Sequence, residues 1–129
     1  MIKFIKKHKI LFIIIFSIFF GYFLSPIGGL IHKSIFGVHD CSFWGPCDSG
    51  DNIEGFIHFF VGFFVFFSFY FLDKRSAIKN LFSLFILDLA LGMWLGYWEG
   101  IFLNIFFALF GWSLVQLISF IVNRTIKNK

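Results

Sequence analysis

Glu54 and His58 stand four residues apart in the run I-E-G-F-I-H-F-F-V-G-F-F-V-F-F-S-F-Y-F-L, residues 53–72. On a helix that spacing puts both on one face, where an imidazole can take up or release a proton and a carboxylate can orient it. Asp88 is a third candidate, alone near the middle of the apolar run 78–97. A charged carboxylate at that depth needs a partner or water, so it is either a protonation site or a packing group. Glu99 and Asn104 follow near the start of the last apolar run, 101–122. These five residues predict a polar pocket opening to the outer face, bounded by Glu54, His58, Glu99 and Asn104, with Asp88 as its floor. At the helical rise His58 lies about 8 Å deep and Asp88 about 15 Å deep, a gap that two reaching side chains or one water could bridge.

The elements that must position them are membrane helices. Hydrophobic residues make up 59% of the chain and charged residues 14%, against roughly 25% charged in a soluble domain. Residues 53–72 have the length to cross a hydrocarbon core of about 30 Å. With the other apolar runs they predict an all-α, single-domain protein over residues 1–129, a compact bundle of four transmembrane helices at about 10–26, 53–72, 78–97 and 101–122, with an outer loop at 27–52. The first run resembles a signal peptide but lacks small residues at cleavage spacing, so it reads as an uncleaved span ending near Pro26. Each helix carries one small or polar stripe: Ser17, Gly21 and Ser25; Glu54 and His58; Asp88, Gly92 and Gly96; Asn104, Ala108 and Gly111. Such stripes let backbones approach, which puts them inward and the bulky residues toward lipid. The 24 phenylalanines are as well explained by coding bias as by chemistry.

Charge sets the expected orientation. Of the 11 Lys and Arg, all but Lys33 lie before the first span, at Lys74, Arg75 and Lys79, or after the last span. The positive-inside rule then places both termini in the cytoplasm of a multi-pass cell-membrane protein. The long loop faces outward, where Cys41 and Cys47, flanking the turn-forming Gly45 and Pro46, can form a disulfide. His39 joins these thiols, with His32 nearby, in a grouping that matches no common zinc spacing, so neither a metal nor another cofactor is expected. The basic clusters are juxtamembrane and suit lipid headgroups, which argues against a nucleic-acid partner. P-loop, G-x-S-x-G, H-E-x-x-H and C-x-x-C signatures are all absent.

The piece E-G-F-I-H-F followed by Gly62 resembles part of the pattern of VanZ-like membrane proteins, an acid four residues before a His-Phe pair with a later glycine. The basic residue usual beside that acid is missing, and the later Gln, Arg, Asp and Asn pattern is not reproduced around Glu99 and Asn104. No function is carried over from it. Small four-span multidrug transporters are similar in length, but their essential acid lies in the first span, where this chain has none. Three function classes remain open. The leading one is a structural or accessory membrane component, packed against a membrane-protein partner or a second copy in the bilayer. The others are an intramembrane enzyme acting on a lipid or polyprenyl substrate, with His58, Glu54 and Asp88 as candidate catalytic residues, and a small proton-coupled transporter using Asp88.

Overall fold

The computed structural model describes residues 8–37, 47–95 and 98–127, of which 47–52, 95 and 127 are described as backbone alone. Among them the chain is helical throughout: α1 (Lys9–Phe36), α2 (Cys47–Phe71), α3 (Lys74–Leu95) and α4 (Trp98–Lys127). All four helices are long and apolar enough to cross a membrane, which fits a multi-pass membrane protein. The helices pack in contact, with α2 at the centre between α1 and α4, and α3 resting more loosely on α2 and α4.

The helices outrun the expected spans. Pro26 does not end α1, which continues to Phe36, and α2 starts at Cys47 rather than near residue 53. Proline has no N–H, so it should orphan the Tyr22 carbonyl one turn earlier. Here the Ser25 hydroxyl donates to that carbonyl at 2.9 Å, a local repair of the kind membrane helices use to keep a proline. The helix stops at Gly37 instead, where φ is 80° and the backbone N–H closes on the Lys33 carbonyl at 2.9 Å. The expected outer loop is therefore much shorter than residues 27–52. Cys41, and with it the expected disulfide to Cys47 and the His39, Cys41 and Cys47 grouping, lies outside the described residues.

The inward stripes bring backbones together as small residues allow. Ser17, Gly21, Ser25, Gly28 and Gly29 are buried along α1. A Cβ on Gly28 would fall 2.6 Å from the Gly55 carbonyl oxygen, and one on Gly55 would overlap the Ser25 carbonyl and the Gly29 amide. Gly111 of α4 meets the Gly62 carbonyl of α2 in the same way. Below this crossing, α1 and α2 interlock through phenylalanines. Phe20 stacks on Phe63 with centroids 4.9 Å apart, and Phe16 and Phe12 meet Phe67 and Phe71 edge-on at 5.9 and 5.5 Å. Phenylalanine thus holds two helices together as well as facing lipid. At the α2–α3 corner Asp73 caps α3, accepting the Ser76 N–H on Oδ2 at 3.0 Å. Those Ser76 hydrogen bonds hold the exposed Asp73 carboxyl below its usual range.

Candidate functional site

The α1–α2 crossing at Gly28 and Gly55 sets the site. With the backbones that close, His32, one turn past Gly28 on α1, meets Glu54 and His58, which flank Gly55 on α2. Glu54 Oε2 lies 2.9 Å from His32 Nε2. His32 Nδ1 lies 3.0 Å from His58 Nε2, and His58 Nδ1 lies 2.6 Å from Asn104 Oδ1 on α4. Asn104 Nδ2 then donates to Asp88 Oδ1 on α3 at 2.7 Å. Five side chains from four helices form one chain. The two imidazoles are nearly parallel, 16° apart, and Phe107 walls off His58 on its other side.

The amide fixes the polarity of the chain. Because Asn104 Nδ2 donates to Asp88, its Oδ1 must accept from His58 Nδ1–H. A neutral His58 then accepts at Nε2, so His32 donates from Nδ1. That leaves the lone pair of a neutral His32 at Nε2, which lies within ion-pair distance of Glu54 Oε2 but is not aligned with it as a hydrogen bond. A proton carried by this pair makes a carboxylic acid of Glu54 or an imidazolium of His32. From His32 Nδ1 onward every donor points toward Asp88.

Burial is graded along the chain. His32, His58 and Asn104 are at most 1% exposed, while Glu54 keeps 20% of its side chain accessible and Asp88 is half-buried. No family model, curated protein or solved structure matched the chain. The VanZ-like resemblance therefore has no family match behind it, and the site must be read from its own geometry.

Of the residues expected to bound a pocket, Glu54, His58, Asn104 and Asp88 are brought together. They form a packed thread, with Asn104 filling the gap between His58 and Asp88. Glu99 stands exposed in the first turn of α4. The residue that sequence reasoning missed is His32. Its signal was present: His32 follows Ser25 by seven residues and so extends the stripe of Ser17, Gly21 and Ser25, but that extension counts only if the helix passes Pro26.

On the far side of Asp88 is a cavity of about 540 Å³ between α2, α3 and α4. Asp88 and Asn104 contribute its polar groups, and the rest of the wall is apolar, including Val65, Phe85, Ala108 and Trp112. The thread thus connects a partly accessible carboxylate to one that faces an apolar space within the bilayer.

Proposed function

We propose that this is a small proton-coupled membrane protein, which loads a proton from the Glu54 side onto the His32–His58 pair and senses it at Asp88. The observation that carries this reading is the run of hydrogen bonds from His32 to Asp88, 2.6 to 3.0 Å long with every donor pointing toward Asp88, and Glu54 Oε2 2.9 Å from His32 Nε2 at its head. As the Glu54 proton moves to His32 Nε2, His32 Nδ1–H can pass to His58 Nε2. Glu54 is then a carboxylate and His58 an imidazolium, with no net gain or loss of protons. The proton stops there, because an amide does not relay protons as an imidazole does. Asn104 instead couples the positive ring to the Asp88 carboxylate through its own dipole.

A second reading rests on a different feature of the same thread. Each helix contributes to it, as expected of a polar staple in a structural or accessory component. His58→Gln separates the two, since glutamine can keep hydrogen bonds but cannot carry the proton. With the protein in lipid nanodiscs and a pH-sensitive dye in the surrounding solution, a downward pH jump should show proton uptake by the wild type that includes a proton His58→Gln does not take up, with thermal stability near wild type. Unchanged proton uptake would favour the staple.

The proposed orientation puts both termini in the cytoplasm, on the strength of the clusters at Lys74, Arg75 and Lys79 and at Arg124, Lys127 and Lys129. In a C41S, C47S background an impermeant maleimide should label Ser49→Cys in intact cells and leave Ser76→Cys unlabelled. Labelling of Ser76→Cys without lysis would reverse the assignment. The same reagent should label native Cys41 and Cys47 only after reduction, as a disulfide on the outer side requires.

A further inference from the structure

We infer that the cavity beside Asp88 is a binding site for a membrane-soluble molecule with an apolar body and one small hydrogen-bond-donating head, a hydroxyl or a primary ammonium. The inference rests on the proposed function in taking Asp88 as the inner, acceptor end of the thread. At about 540 Å³ the cavity falls in the range of ligand pockets, roughly 300–1,000 Å³. Its wall is apolar except at Asp88 and Asn104. Asn104 accepts from His58 on Oδ1 and gives one of its two Nδ2–H donors to Asp88. Among the described residues the Asp88 carboxyl takes one hydrogen bond, on Oδ1. Oδ2 is the acceptor left for an occupant, and what complements a carboxylate oxygen in an apolar space is a donor.

The shape of the wall narrows the class. On α4 the lining runs from Asn104 to Trp112, about 12 Å at 1.5 Å per residue, so the polar groups sit at one end and the apolar length extends toward the Lys74 end of α3. The head therefore lies well inside the bilayer, where a phospholipid headgroup has no place and its phosphate would meet a carboxylate. A small head on a single apolar body fits both the polarity and the depth. The loose seating of α3 against α2 and α4 leaves the space in which that body lies.

The test uses the full chain in lipid nanodiscs, incubated with three probes of equal chain length: dodecanol, dodecylamine and dodecyl methyl ether. Bound probe is quantified by mass spectrometry after the discs are re-isolated. Retention of the alcohol, the amine or both at about tenfold or more over the ether is expected, the ratio for one net hydrogen bond of about 1.4 kcal/mol. Ala108→Phe, which fills the cavity without touching the thread, should abolish retention, and Val65→Phe should do the same from α2 should the first variant fold poorly. Equal retention of all three probes overturns the inference, as does retention that survives both filling variants. So does an empty cavity with α3 cross-linking to α3 of a second copy. The protonation of His58, followed by nitrogen NMR of the imidazole, is read separately. Loss of head preference with that titration intact overturns the binding site alone, and loss of the titration with head preference intact overturns the proton reading alone.

Discussion

Gly55→Ala should be among the most damaging single-methyl changes in the protein, lowering stability by about 3 kcal/mol or more, the upper end of the overpacking range. The added carbon would overlap the Ser25 carbonyl oxygen and the Gly29 amide, and would stand 2.8 Å from the Gly28 carbonyl carbon. All three obstacles are backbone, so no side chain can turn aside, and α1 must move away from α2. That movement also opens the thread, because Glu54 adjoins Gly55 and His58 lies three residues beyond, both facing His32. Gly62→Ala supplies the contrast. There the methyl would stand 3.3 Å from the Phe107 carbonyl oxygen and 3.5 Å from the Phe107 side chain, a contact that small adjustments relieve. Equilibrium unfolding in mixed detergent micelles should therefore separate the two alanine variants by about 2 kcal/mol. Equal stability would mean that the α1–α2 crossing is not as close as described.

The spans were legible because hydropathy over twenty residues is a coarse signal that needs no tertiary detail. The stripes were legible too, since a helix with period 3.6 turns spacing into a face. His58, Asn104 and Asp88 could be placed near one another by depth alone. What spacing could not supply was the fate of Pro26. Proline's effect depends on whether some other donor takes the freed carbonyl, and the Ser25 hydroxyl does so. Once the helix continues, His32 falls onto the stripe and supplies the contact between Glu54 and His58. The phenylalanine ladder was hidden for a related reason: composition cannot distinguish a ring facing lipid from one facing Phe63 or Phe67.

Asn104→Leu should cost about 2 kcal/mol, although leucine is close to asparagine in size and suits an apolar surround. The substitution strands two groups at once. His58 Nδ1–H, at 0% exposure, loses its acceptor, and Asp88 loses its donor. A stranded buried group costs about 1–3 kcal/mol, whereas single interhelical hydrogen bonds in membranes average about 0.6 kcal/mol, so the stranding governs the total. A double-mutant cycle makes the same claim in a second way. His58→Phe removes the stranded donor, so adding it to Asn104→Leu should cost less than the sum of the single changes, by about 1 kcal/mol. The residual loss is then shared between His32, whose Nδ1–H loses the His58 acceptor, and Asp88, which still faces the cavity but without the amide, and Asp88→Leu in the same background should recover part of it. Strict additivity of Asn104→Leu and His58→Phe would show that the two side chains are not coupled, and the thread would have to be broken at its shortest contact.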